Sequence, residues 1–397
     1  MKLYNGDLYW EKTYNKKTYS SLNENIKCDV LVVGGGMSGA LVANELIDRG
    51  MDTVLIDESQ VAKGSTMASA GMLQYTSDKN MWKFAEEIGV KNAVLFYEMC
   101  HKAILDLHDI HNKIPLETGF HIRPSVYFAS DQKGKEELEK EFKMLKKYKF
   151  PVEELGAIDL QENFNVKKDY ALITRDDAEI NPYKFVNLLV EDLVKKGLRV
   201  YENTGIEKHH SNNLEMNIEA KNGNIKAKHM VLATGYGERY KVIKDNLLIN
   251  MTYVIATKPL VEYPWKERAM IWETAKPYIY FRANDENRII GGGLDKATSN
   301  ISDSKGHIYS IGNKILKDMK KLFPELETEV EYAWGGLFGE SRDGLPFIGR
   351  DPEIENLYYC LVFGGNGTSY SMAGGKIIAD LLQEKKNDYA HIVRMDR

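Results

Sequence analysis

Near the N-terminus the apolar positions come as short solid runs rather than as alternation. In CDVLVVGGG, Val30–Val33 are continuously apolar and lead straight into three glycines. That pattern predicts a strand buried on both faces that enters a turn. Over 38–49 the apolar residues Leu41, Val42, Leu46 and Ile47 recur at helical spacing, with Gly50 where a C-cap belongs. DTVLID (52–57) predicts a second buried strand. Strand, glycine turn, helix and strand within about 30 residues make one βαβ unit of a parallel sheet.

Further on, helical periodicity covers 81–112, the charged stretch 132–149, and 181–197, which Asn181-Pro182 opens and Gly197 closes. Another helix is expected over 309–322. LRVYENT and KAKHMVLATGYG read as strands, and INMTYVIATKPL, AKPYIYFRA and RIIGGGLD make 250–295 antiparallel. The chain closes with a strand LYYCLVF, a turn GGNGTSY and a helix SMAGGKIIADLLQ. The βα material lies at both ends and in the middle, so two interleaved domains are expected. A dinucleotide unit takes 1–77, 154–236 and 336–397, and a second unit takes 78–153 and 237–335.

Composition narrows the function classes. With 58 acids against 53 bases interspersed along 397 residues, the net charge is −5, which argues against a dedicated nucleic-acid or anionic-membrane surface. Cys28, Cys100 and Cys360 are scattered without a CxxC, so neither a disulfide framework nor a zinc ribbon is expected. His101, His108 and His111 share a helix at spacings that fit no zinc pattern, and no metal is expected. His209-His210 reads as a surface turn. No apolar run is long enough for a membrane span, MKLYNGDLYWEKTYNKK lacks a signal-peptide core, and a cytoplasmic location is expected.

Gly34, Gly36 and Gly39 satisfy GxGxxG at the strand-to-helix turn. The first glycine allows the turn, the second lets backbone approach a pyrophosphate, and the third packs helix on strand. Met37 and Ser38 open the helix whose N-terminus faces the phosphates. Asp57, 23 residues after Gly34 and followed by Glu58, stands where an acid accepts ribose hydroxyls. To this point NAD and FAD fit equally. Three later features favour FAD. GSTMASAGM (64–72), with Ser65, Thr66, Gly71 and Met72, suits a loop pressed along a pyrophosphate and a flat ring. Ala233-Thr234-Gly235 ends a strand in a tight turn, with Ile206 expected beside it. Gly364, Gly365, Asn366, Gly367 and Thr368 place a glycine turn at the start of the last helix, where N–H groups and the helix dipole face a flavin's pyrimidine edge.

In this order, CDVLVVGGGMSGALVANELIDRGMDTVLID, GSTMASAGM, VLATG, WGGLFGESRDGLPFIG and FGGNGTSYSMAGG resemble the landmarks of the D-amino acid oxidase-like flavoproteins. That family includes glycine oxidase, sarcosine oxidase and gamma-glutamylputrescine oxidase, and the prelude DLYWEKTY looks most like the last. The resemblance implies an α/β chain: a Rossmann-type FAD-binding domain interleaved with an α+β substrate domain whose antiparallel sheet covers the flavin. It also implies FAD, held non-covalently since no cysteine lies in WGGLFGESRDG, and oxidation of a C–N bond of an amine or imino acid. Hydride passes to flavin N5, and the imine hydrolyses. The electron acceptor is O₂ or another compound.

The chain departs from its family at the substrate anchors. Amino-acid-oxidising members carry an arginine where this chain has Phe338, so a substrate carboxylate would meet an apolar ring instead of a bidentate fork. The anchors of sarcosine oxidases fall on Gly71 and Ser369, and a lysine associated with oxygen activation falls on Ile289. In their place, Tyr278, Tyr280 and Arg282 alternate onto one strand face, with Ile279 and Phe281 on the other. Tyr280 and Arg282 are candidates to meet a polar substrate, and Glu340 to bind a cationic amine. An outward arginine and a surface glutamate are the plainer readings. A flavin dehydrogenase with a different acceptor, a flavin protein without turnover and a nicotinamide dehydrogenase remain as alternatives.

Overall fold

The apolar strand Ile26–Val33 lies inside a parallel sheet. Its neighbours run in the order Leu357–Leu361, Gly223–Leu232, Ile26–Val33, Thr53–Ile56 and Arg199–Tyr201, all parallel, and Phe347–Arg350 adds an antiparallel edge. Residues 2–212, 214–236, 246–301 and 304–397 are described by the computed structural model; Gly237, the end of the expected VLATGYG turn, lies outside them. Alternate residues serve alternate faces, as pleating requires. Val30, Val32 and Leu55 pack beneath the helices Met37–Asp48, Pro182–Lys195 and Gly367–Leu382. Leu31, Val54 and Ile56 pack on the other side with Met216 and Ile218, which belong to an antiparallel meander of strands Ile206–Ser211, Met216–Ala220 and Gly223–Leu232. His209 and His210 therefore sit in an exposed strand and not in a turn.

A second, ten-stranded sheet is assembled from segments far apart in the chain. Its path runs Tyr4–Gly6, Val330–Ser341, Leu247–Thr257, Ile289–Lys296, Ile279–Ala283, Met270–Glu273, His121–Phe128, Tyr170–Glu179 and Met72–Leu73, with Val152–Gly156 paired to Tyr170–Glu179. Strand Val330–Ser341 crosses the expected boundary at 336, and Tyr170–Glu179, assigned above to the dinucleotide unit, pairs in this sheet. One face is apolar: Met251, Tyr253, Ile255, Ile279, Phe281 and Ala333 bury against helix Lys305–Leu322. That helix starts earlier than the expected 309 because Ser304 caps it, accepting from His307 N at 3.2 Å.

Two other helices differ from expectation. The stretch 81–112 is two helices, Met81–Ile88 and Val90–Lys113, parted at Gly89, whose φ of +82° lies outside the helical region. The last helix begins at Gly367, inside the expected turn, and contains the first residues of that turn's exit.

Candidate functional site

At the end of strand Ile26–Val33 the chain turns at Gly34, with φ of +108°. A Cβ there would overlap the carbonyl oxygen of Ala233, and one on Gly39 would overlap the carbonyl oxygen of Gly34. These two glycines are demanded by close packing. Gly36 differs, since its added Cβ would meet only Thr66 Oγ1, at 3.2 Å. Its surface is open for approach, while Met37 N donates to Thr66 Oγ1 at 3.0 Å and so ties the first helix to the 64–72 loop. The helix has no acid in its first turn, which leaves its positive end free for an anion.

Asp57 braces this turn. Its carboxylate accepts from Gly35 N at 2.7 Å and from Ser59 N at 2.7 Å. Burial pushes its pKa up, against the two backbone N–H groups that lower it. A carboxylate has four lone-pair directions, so a ribose hydroxyl can still be accepted. Glu58 beside it is exposed; Ile206 is half-buried, as are Thr234 and Gly235. Ser38 Oγ lies 2.9 Å from Ser371 Oγ and links the first helix to the last. Met37 packs in the core, as an apolar side chain should.

The 64–72 loop is clamped from behind by two indoles. Trp334 Nε1 donates to Ala68 O at 2.9 Å, and Trp10 Nε1 donates to Ser69 O at 2.8 Å. The aromatic prelude is thus a buttress for this loop, a role that its spacing did not reveal. Gly71 (φ +72°) presses against the Ile180 carbonyl, and Met72 begins a short strand paired with Glu179. Ser65 is half-buried in the same turn.

Arg282 belongs to this clamp. It shares a face with Tyr278 and Tyr280, yet it is 2% exposed and spends its donors internally. Nε donates to Ala70 O at 2.9 Å, Nη2 to Ile180 O at 2.8 Å, and Nη1 to Ala283 O at 2.9 Å and Glu179 Oε2 at 3.3 Å. Its plane also lies over Trp10, 5.3 Å from the ring centroid. Neither expectation for Arg282 holds, because this end of the face is closed by the loop. His121, Glu179 and Asp285 approach one another nearby, but Glu179 is already met by Arg282 and by Arg123 at 3.2 Å.

The other end of the same sheet face is open and polar. Gly364 N donates to Gly339 O at 2.7 Å, and Asn366 Nδ2 donates to Thr76 O at 2.6 Å, which joins the C-terminal glycine turn to the sheet and to the 76–78 segment. Asp78 accepts from the backbone N–H of Gly365, and a Cβ on Gly365 would come within 2.8 Å of Asp78 Oδ2. Asp78 is accessible yet surrounded by protein, so it lines an internal crevice. Gly367 and Thr368 are half-buried on that rim. Across from them, Asn250 Nδ2 donates to Glu340 Oε2 at 2.7 Å, Thr252 and Tyr278 hydrogen-bond Asp295, and Tyr280 bonds Thr252. Burial holds the carboxyls of Asp78, Asp295 and Glu340 above their ordinary values, and mutual repulsion adds to this for Asp295 and Glu340. Asp78, Asp295 and Thr252 carried no local signal in the sequence; only sheet order brings them to Tyr280 and Glu340.

This arrangement fits FAD: an open helix N-terminus at a close-packed glycine turn, a clamped loop alongside, and a second glycine turn at another helix N-terminus facing a polar sheet. Residues 29–381 match the FAD dependent oxidoreductase family (DAO), and the chain belongs to it. It is an FAD-dependent oxidoreductase. Among its relatives, the putative Rieske 2Fe-2S iron-sulfur protein YhfW of Bacillus subtilis is 24% identical, over 98% of this chain and 75% of its own length. Gamma-glutamylputrescine oxidoreductase of Escherichia coli is 24% identical, over 94% of this chain and 88% of its own. The fold is shared with glycine oxidase from Geobacillus kaustophilus (TM-score 0.78, 19% identity, 91% of this chain and 96% of that one). It is shared too with L-proline dehydrogenase from P. horikoshii (TM-score 0.79, 17% identity, 94% and 98%). Among the described residues no helix is long and apolar enough to cross a membrane.

Proposed function

We propose that the chain oxidises a C–N bond of an amine or modified amino acid in the crevice between the two glycine turns and the open end of the ten-stranded sheet. The observation that carries this reading is the wall formed by Tyr278, Tyr280, Thr252, Asp295, Asn250 and Glu340, which meets Asp78 and Gly365 at the C-terminal turn. Names among the relatives agree with it: gamma-glutamylputrescine oxidoreductase, glycine oxidase and D-amino acid dehydrogenase.

Gly34, Gly36, Ser38 and Gly39 with Asp57 would hold the dinucleotide tail, Thr66 and its loop would run alongside, and Gly364–Thr368 would face the ring. Bound FAD would supply the two-electron acceptor for a hydride lost by the carbon next to nitrogen, and water would hydrolyse the imine left behind. The protein's own tasks are to orient the amine and to take its proton. An ammonium has no lone pair to form the C=N bond, so it must lose a proton before the adjacent C–H breaks. Glu340, fixed by Asn250 and raised by burial, is suited to receive that proton. Phe338, half-buried on the same strand face, offers a simple α-carboxylate an apolar ring in place of a cation.

A second reading concerns the acceptor alone. Ile289 is fully buried in the apolar core, so the lysine associated with oxygen activation has no counterpart there. Electrons then leave through a carrier other than O₂. An anaerobic screen of amines, N-methyl amino acids, proline analogues and gamma-glutamyl amines tests the main reading. Loss of absorbance near 450 nm with an amine is the expected result, and a flavin that stays oxidised with every compound rejects it. Reoxidation by O₂ as fast as by a dye rejects the second.

A further inference from the structure

Resting on the amine-oxidising reading, we propose that the substrate is a linear diamine, whose second ammonium is held by Asp78 and Asp295 against the ring of Tyr278, with Glu340 left to take the proton of the nitrogen that is oxidised. Three observations support it independently of the family. The first is charge: Asp78 faces one crevice with Asp295 and Glu340, which lie more than 200 residues further along the chain, and among the described residues Lys276 is the cation that acts on all three.

The second is the place that Lys276 takes. Its Nζ lies 4.7 Å from the centroid of the Tyr278 ring, and Tyr278 and Tyr280 stand 6.0 Å apart as neighbouring rings. Lys276 is itself exposed, and among the described residues the ring and the carboxylates are what it meets there. The chain's own primary ammonium thus marks a cation position at the mouth of the crevice, with the ring face below it. A substrate ammonium reproduces that chemistry when Lys276 swings out to solvent.

The third is a missing donor. Asp295 is bonded by Thr252 and Tyr278, but its Oδ1 is buried and has no hydrogen-bond partner among the described residues. A buried carboxylate oxygen without a donor is costly, and an ammonium brings three N–H groups. Amino acids do not satisfy this site: their carboxylate would add a fourth negative charge beside the three. A diamine presents one nitrogen for oxidation and keeps the other as the anchor.

Binding is best measured on the dithionite-reduced holoenzyme, which holds substrate without oxidising it. Calorimetry with 1,4-diaminobutane is expected to give saturable binding, and glycine, sarcosine and D-alanine are expected to bind at least about tenfold more weakly. Asp295→Asn and Glu340→Gln should each weaken diamine binding by about tenfold, whereas Lys276→Gln should tighten it by about threefold. The opposite signs cannot come from a general loss of structure, and flavin content and melting temperature of each variant check that separately. Equal affinity for sarcosine and the diamine, or weaker binding in Lys276→Gln, overturns the diamine assignment. If the oxidised holoenzyme is bleached by an amino acid while no diamine binds, only this inference falls; if no amine bleaches it, the reading beneath falls too.

Discussion

Replacing Arg282 with leucine tests whether this arginine is part of the loop clamp or of the substrate wall. The variant keeps an apolar stem over Trp10 but removes every donor. The carbonyls of Ala70, Ile180 and Ala283 lose the hydrogen bonds they accept from Nε, Nη2 and Nη1, and Glu179 loses one of its two arginines. Because Arg123 still meets Glu179 at 3.2 Å, the ion-pair loss sits at the low end of the usual range for breaking a buried pair. Roughly 3 kcal/mol for the pair and about 1 kcal/mol for the stranded carbonyls give a destabilisation of about 4 kcal/mol. For a chain of 397 residues unfolding as one unit, about 1 °C is lost per kcal/mol, so the melting temperature should fall by about 4 to 5 °C. The 64–72 loop loosens, so FAD should be lost more readily on dilution, and Arg282→Lys should rescue little because one ammonium cannot span three carbonyls. Scanning calorimetry, released-flavin absorbance and the anaerobic bleaching rate are the three readouts. If melting and flavin content stay as in the parent while bleaching slows by 100-fold or more, the arginine touches substrate and the clamp argument is wrong.

The glycine turn separates packing from cofactor approach. Gly36→Val should fold but fail to retain FAD, since its Cβ meets only Thr66 Oγ1 while closing the path of a pyrophosphate; full flavin occupancy in purified protein would contradict this. Gly39→Ala should instead reduce soluble yield and melting temperature outright, because its Cβ overlaps Gly34 O; a normal melt would show that the turn yields. Glu141, 2% exposed, accepts from Met81 N at 2.9 Å and Trp82 N at 3.3 Å, and burial pushes its pKa up to about 7. A raised carboxyl stabilises the fold fully below its unfolded value, and that contribution is lost as pH rises through 7, an order of about 3 kcal/mol. Asp177, also buried and also raised to about 7, has the same sign. Glu141→Gln should therefore make the decline in urea stability from pH 4.5 to 7 shallower without abolishing it, and an unchanged slope would remove Glu141 from the account.

What could be read in advance was what depends on neighbours in the chain. The turn at 34–39, the helix after it and the strand Thr53–Ile56 lie within about 30 residues, and their apolar runs and glycines follow from local geometry. The face shared by Tyr278, Tyr280 and Arg282 was legible from alternation alone, and the apolar opposite face did bury against a helix. The break at Gly89 escaped because a single glycine inside a helical pattern is usually tolerated, and here its positive φ decides otherwise. Strands His121–Phe128, Val152–Gly156 and Tyr170–Glu179 escaped because their polar and apolar residues do not alternate cleanly.

By itself the sequence determined a dinucleotide turn, a set of glycine loops suited to FAD and a strand face carrying two tyrosines and an arginine. Tertiary structure alone decided that this face is shut at Arg282 by the 64–72 loop and open at Tyr278, and that Asp78, Asp295 and Glu340 surround the opening. The physical reason is that strand order is set by burial of the whole apolar face against helix Lys305–Leu322, a sum over many residues. Which polar side chains then meet on the opposite face is a consequence of that order, and no local spacing encodes it.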